Sequence, residues 1–165
     1  FKNSGLYYLP ITHTDCSQQS DEEGEVVKKL YKKFLQAKFK DEKGDTKTMS
    51  IEDILTVSPY NVQVNYLRSI LPKDSKVGTI DKFQGQEAPI VIISMTTSDP
   101  ENLTRNLEFF YSRNRLNVAI SRDQCLSIVI MNPELFSLNC KKVSQVKLVN
   151  TLLKLEKFKI NDFSC

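Results

Sequence analysis

Val77-Gly78-Thr79-Ile80-Asp81-Lys82-Phe83-Gln84-Gly85-Gln86-Glu87-Ala88-Pro89-Ile90-Val91-Ile92-Ile93-Ser94 is the stretch that decides the fold. A short apolar segment, Val77 to Ile80, runs into a polar turn centred on Gly85, and a β-branched run, Ile90 to Ile93, leaves it after Pro89. Strand, polar turn, strand, with charged and amide side chains crowded into the turn, is how α/β proteins build sites at the ends of strands. Residues 81–87 are therefore the first candidate for chemistry. A second dense stretch follows at Tyr111 to Arg122, where Arg113, Arg115 and Arg122 are spaced through a helix-like apolar pattern of Leu116, Val118 and Ile120.

Working outward, the flanking segments alternate in type. Gly5 to Thr12 is strand-like, with Pro10 favouring an edge or a strand end. Ser20 and Glu23 have the spacing of a capping box, and Val26, Val27, Leu30, Tyr31, Phe34 and Leu35 recur at helical spacing to about Ala37. Lys38 to Ser50, lysine-rich with Gly44 inside it, reads as a solvated loop. Ile54 to Val57 is a buried strand, and Ser58-Pro59 supplies an N-cap and a first-turn proline for a helix through Val64, Leu67 and Leu71. The spacing further predicts a mobile polar connection from Thr96 to Arg105, a helix over about 107–121 and a strand at Leu126 to Met131. A final helix is expected to pack Val146, Val149, Leu152 and Leu153 on the sheet. Strands alternating with helices give a three-layer α/β domain: a mostly parallel sheet with helices on both faces. No repeat or low-complexity linker divides the chain.

At 165 residues the chain fits one domain, 1–165, which buries roughly 70% of its unfolded surface. The formal charge of +3 is too mild to name an anionic partner by itself. Four cysteines without a Cys-x-x-Cys pair and a single histidine, His13, suggest neither a metal site nor a disulfide framework. Reduced thiols, no membrane-length apolar run and no leader lead us to expect a cytoplasmic protein without a membrane partner. The start at Phe1 suggests a piece of something longer.

A nucleotide-hydrolysing domain needs Gly-x-x-x-x-Gly-Lys-Ser/Thr to cradle phosphates, and the sequence has no such loop. Asp21-Glu22-Glu23 is preceded by polar residues rather than by an apolar strand, so it reads as a helix N-terminus whose acidic side chains suit the dipole, not as a magnesium-holding pair. The chain alone is not expected to hydrolyse ATP. It can hold the other half of such a site: an arginine supplied from a neighbouring domain to the γ-phosphate is worth about 10³ to 10⁵ in rate, and Arg122 stands at a helix end just before a strand.

At these residues the sequence resembles the second RecA-like domain of superfamily 1 helicases, in the branch containing the nonsense-mediated-decay helicase. Thr79-Ile80-Asp81-Lys82-Phe83-Gln84-Gly85-Gln86-Glu87 resembles motif V of that family, and Arg115-Leu116-Asn117-Val118-Ala119-Ile120-Ser121-Arg122 its motif VI. Ser58-Pro59-Tyr60-Asn61-Val62-Gln63 is similar to the proline, tyrosine and glutamine signature upstream. The resemblance covers roughly Gly5 to Phe136, and Glu108 to Arg122 is especially similar to bacterial proteins that fuse a RecB-like nuclease to such a helicase.

The resemblance implies a three-layer RecA-like fold and a set of roles. Arg122 would be the arginine finger; Gln84, Gly85, Glu87 and Arg115 would meet ATP, with Glu87 at the ribose and Gly85 allowing close backbone approach. Thr79, Pro59, Tyr60, Asn61 and Gln63 would face the nucleic-acid backbone. Mg²⁺ ligands would belong to the first RecA-like domain, which is the expected partner along with single-stranded DNA or RNA, and the branch implies 5′ to 3′ travel. One departure is Asp123, where the family usually has alanine after the finger. Other readings stand beside these: Gly85 as a plain turn glycine, Arg113 and Arg115 as surface charges, Tyr60 as packing, His13 and the cysteines as structural. For the whole domain the alternatives are a non-hydrolysing nucleic-acid or docking module and a flavodoxin-like enzyme.

Overall fold

Alternation of apolar side chains along short β-branched strands builds a sheet with two greasy faces. The computed structural model describes residues 5–40, 44–83, 86, 88–98 and 126–137, with 146, 150, 153 and 155–159 of the tail. In chain order the strands are β1 (Gly5–Pro10), β2 (Lys38–Lys40), β3 (Thr46–Thr48), β4 (Ile54–Val57), β5 (Lys76–Gly78), β6 (Ile90–Ser94) and β7 (Leu126–Met131). The helices are α1 (Asp21–Phe34) and α2 (Asn61–Ile70). Five strands form one parallel sheet in the order β1-β7-β6-β4-β5, an α/β architecture of RecA-like character.

Within β6, Ile90 and Ile92 join Ile54, Ile128 and Ile130 under Val27, Leu30, Tyr31, Phe34, Val64 and Leu67 of the two helices. Val91 and Ile93 point the other way, into a cluster with Leu55, Val57, Val129 and Met131. That second face is covered by Phe83, Leu135 and Leu155, with the Phe136 ring edge-on to Tyr8 at a centroid distance of 5.5 Å. Both described helices thus lie on one face. The helix expected over 107–121 falls outside the described residues.

Four local expectations are corrected. β5 stops at Gly78, short of the expected Ile80, because the Lys82 amide donates to the Thr79 carbonyl (3.1 Å) and closes a 3₁₀ turn, Ile80–Phe83. Gly78 makes this possible: a Cβ there would stand 2.8 Å from both Lys82 Cδ and Phe83 Cε2. The supposed loop Lys38 to Ser50 contains the antiparallel hairpin β2–β3, anchored by half-buried Phe39 and buried Met49. α2 starts at Asn61 with Tyr60 as N-cap, so Pro59 precedes the helix instead of opening it. In the tail, Val146 and Leu153 are 45% and 41% exposed, and it is Leu155 that is buried on the sheet. Val149 and Leu152 lie outside the described residues. Beyond Leu155 the chain runs along the sheet margin, where Lys159 forms a parallel bridge with Tyr8 and the Tyr8 amide donates to the Phe158 carbonyl at 2.9 Å.

β4 is followed in the sheet by β5 on one side, and β6 by β7 on the other, so the strand order reverses between β4 and β6. Open α/β sheets bind ligands outside the carboxyl ends of strands at such a reversal.

Candidate functional site

The turns leaving β4 and β6 meet at this reversal. Ser58, the residue after β4, donates its amide to the Gly78 carbonyl at 3.2 Å, and its hydroxyl lies 3.2 Å from that of Thr96, two residues past β6. The sequence-predicted nucleic-acid residues Pro59, Tyr60 and Asn61 are carried by the first turn, and Thr79 follows Gly78 at the neighbouring strand end. Two stretches about twenty residues apart are thereby brought side by side. Pro59 and Thr79 are half-buried, Asn61 is exposed and Tyr60 is buried. Gln63 is fully buried: its Oε1 accepts the Ser20 amide (3.0 Å), and its Nε2 donates to the Ser20 carbonyl and to Ser94 Oγ, each at 3.1 Å. The Gln63 amide is spent inside the protein, holding the turn rather than facing outward. Gln84, Gly85, Glu87, Arg115 and Arg122 lie outside the described residues.

Beneath these turns is a polar cluster not anticipated from the sequence. Glu23, fully buried in the first turn of α1, accepts from Ser94 Oγ at 2.6 Å and the Thr96 amide at 2.9 Å with one oxygen, and faces His13 Nε2 at 3.1 Å with the other. Three donors and the positive end of a helix dipole are what a buried carboxylate requires, since an unpaired one is strongly destabilising. Only half of the expected capping box forms. Ser20 Oγ accepts the Glu23 amide (3.2 Å), but the Ser20 amide goes to Gln63, which frees the Glu23 carboxylate for the strand ends. The available signal is the register: Glu23 shares the stripe of Val27, Leu30, Tyr31 and Phe34, an acid on an otherwise apolar helical face.

Thr96 carries the strain of the site. Its φ is +72°, and the Thr97 amide donates to the Met95 carbonyl at 2.8 Å, the bond across two residues that defines a γ-turn. A β-branched residue with positive φ is a genuine outlier, costing of order 1–3 kcal/mol, and persists only where its surroundings over-determine it. Here they include the Glu23 carboxylate and the Ser58 hydroxyl. The next residues are clasped by the loop before α1: the Ser98 amide donates to the Cys16 carbonyl (2.8 Å) and the Cys16 amide to Ser98 Oγ (2.9 Å). The expectation of mobility from Thr96 onward is corrected for 96–98, since Thr96 and Thr97 are fully buried; 99–105 lie outside the described residues.

The chemistry open to this cluster is limited. The carboxylate sits between Ser94 and His13, so the imidazole does not reach the serine, and the group cannot act as a serine–histidine–acid relay. Among the described residues no group of three or more metal-ligating side chains converges. Nor is any described helix long and apolar enough to cross a membrane. The cluster is a scaffold for the two turns above it.

A parallel sheet with an order reversal and paired turns at the strand ends places the chain among open α/β domains of RecA-like character. A family model described as an AAA domain matches residues 11–134, and the chain belongs to that family, in the superfamily 1 helicase branch related to the nonsense-mediated-decay helicase. Over 92 residues, 52% of this chain, it is 38% identical to the human RNA helicase Mov10l1. Over 77 residues, 45% of the chain, it is 38% identical to the DNA polymerase alpha-associated DNA helicase A of Schizosaccharomyces pombe. An uncharacterised ATP-dependent helicase of Methanocaldococcus jannaschii is 35% identical over 104 residues, 61% of the chain. The aligned stretches amount to 8%, 11% and 14% of those proteins' lengths, so the chain corresponds to a small part of each.

Proposed function

We propose that this chain is the second RecA-like domain of an ATP-dependent superfamily 1 helicase acting on single-stranded RNA or DNA. The observation that carries the reading is the meeting of Pro59-Tyr60-Asn61 and Thr79 at neighbouring carboxyl strand ends, tied by the Ser58 amide on the Gly78 carbonyl. Backbone-rich turns with a half-buried proline and threonine and an exposed amide suit contact with a sugar-phosphate chain, which is held by hydrogen bonds that carry no base information. Relatives named as an RNA helicase and as a DNA helicase keep both nucleic acids within the reading.

In this reading ATP with Mg²⁺ sits between the chain and a first RecA-like domain that supplies the phosphate-cradling loop and the metal ligands. Arg122 reaches the γ-phosphate, Glu87 the ribose, and Gln84, Gly85 and Arg115 the remaining nucleotide surface. Closing the two domains on ATP shifts the strand grip of one against that of the other, and hydrolysis releases it. Such a domain works in the cytoplasm on a translocating strand, and Gln63 serves it by holding the turn that grips.

The test is Arg122→Ala in the full-length protein, assayed for ATP hydrolysis with and without single-stranded RNA or DNA. Strand-stimulated turnover should fall about 10³-fold or more while nucleotide binding is kept. Unchanged turnover would remove Arg122 from the mechanism and with it the reading of this chain as the finger-bearing half.

A further inference from the structure

The strained turn after β6 and the grip turn after β4 have one acid in common. Glu23 accepts the Thr96 amide and the Ser94 hydroxyl on the same oxygen, at 2.9 and 2.6 Å. Ser94 Oγ in turn accepts from Gln63 Nε2, inside the first turn of α2, and Thr96 Oγ1 meets Ser58 Oγ at 3.2 Å. One route from Glu23 therefore reaches Ser58 through Thr96, and the other reaches the first turn of α2 through Ser94 and Gln63. His13 closes the cluster from the other side: its Nε2 faces Glu23, and its carbonyl accepts Asn132 Nδ2 at 2.6 Å, from the end of β7. All these side chains are at most 3% exposed, so water does not compete for the bonds.

We infer that Glu23 is a positioning residue for strand binding: it pins the Thr96 γ-turn and through it and Gln63 fixes the turn Ser58-Pro59-Tyr60-Asn61 that grips the nucleic acid. This rests on the reading of that turn as the grip. The acid touches no ligand itself. Its effect is geometric, because a γ-turn with φ of +72° relaxes once its carboxylate partner is removed, and the hydroxyl of Thr96 then leaves Ser58. The chemistry also predicts which substitute is tolerated. In Glu23→Gln the amide oxygen can keep the Thr96 and Ser94 donors, and its NH₂ can donate to His13 Nε2 if the imidazole proton moves to Nδ1. Nδ1 is buried with no hydrogen-bond partner among the described residues, so this exchange lowers stability while keeping the Thr96 and Ser94 bonds that hold the turn. Glu23→Ala offers no such exchange.

The experiment measures binding of a fluorescent single-stranded oligonucleotide to the full-length protein by anisotropy, with thermal unfolding followed in parallel. Asn61→Asp, which puts a negative charge on the exposed grip position, is the control for the underlying reading and should weaken binding about tenfold. Glu23→Ala should weaken binding about tenfold or more, and Glu23→Gln should restore it to within about threefold of the parent. A folded Glu23→Ala protein with parental affinity, beside a weakened Asn61→Asp, overturns the inference and leaves the grip reading standing. Parental affinity in Asn61→Asp overturns the grip reading and the inference with it. Equal losses in Glu23→Ala and Glu23→Gln would contradict the turn-holding chemistry. Should Glu23→Ala fail to fold, Thr96→Val carries the test, since it cuts the side-chain bond to Ser58 from outside the grip turn and spares Glu23 and the Tyr60 amide bond to Ser58 Oγ. A drop of about threefold or more supports the inference, and parental affinity overturns it.

Discussion

Replacing Gln63 by methionine should destabilise the domain by about 2–4 kcal/mol, and the amount can be built from its partners. Methionine nearly matches glutamine in volume and flexibility, so no sizeable cavity opens and the change isolates the polar bonds. The Ser20 amide loses its acceptor at 3.0 Å and becomes a buried orphan donor, worth about 1–3 kcal/mol. The Ser20 carbonyl loses the Gln63 bond but keeps the Gly24 amide at 3.1 Å, and Ser94 Oγ keeps its bond to Glu23. These two losses add only about 1 kcal/mol together, because neither group is left empty. With a urea dependence of about 2 kcal/mol per molar, the unfolding midpoint of the chain should fall by about 1–2 M. A shift below about 0.3 M, with the slope unchanged, would refute the claim that Gln63 is a buried fastener joining α1 to α2 and β6. It would return the residue to the surface role its motif suggests.

Two further outcomes are expected. Gly78→Ala should cost about 1–3 kcal/mol in urea unfolding, because its methyl meets the buried Phe83 ring, whereas the double change with Phe83→Leu should recover part of the loss. Burial pushes the Tyr8 phenol well above its ordinary value of 10.0, with Glu156 and Glu23 acting in the same direction, and burial also raises Tyr31. A phenol whose folded-state pKa is raised contributes stability that is whole below about pH 10 and is lost as pH climbs toward the folded value. The urea midpoint should hold up to about pH 9 and drop by about pH 11, and Tyr8→Phe should flatten the drop; an equal drop in the variant would clear Tyr8 of the effect.

The strands were legible because β-branched runs such as Ile90 to Ile93 have few alternatives, and α1 because its apolar residues keep a 3.6-residue period. The hairpin within 38–50 was not, since three-residue strands of lysine and threonine carry no buried alternation and are fixed by Phe39 and Met49 against distant residues. The site divides in the same way. Motif spacing pointed to the turns at Ser58 and Thr79, which are local features. The cluster under them joins residues 13, 20, 23, 63, 94 and 96, a set that no window of sequence contains. Ser20 and Glu23 looked like a self-contained cap, and only the fold reveals that Gln63 took over one bond and released the carboxylate for another.

The bridge between Lys159 and Tyr8 bears on self-association. β1 lies at the margin of the sheet, and an uncovered margin offers a row of free amides and carbonyls to any extended chain, including a second copy of the same one. Here a passing segment already occupies that row at Tyr8, while Pro10 withholds a donor two residues on. This segment and the proline together guard the margin against sticky self-pairing, so loss of the bridge at Lys159 is expected to show as clumping in solution.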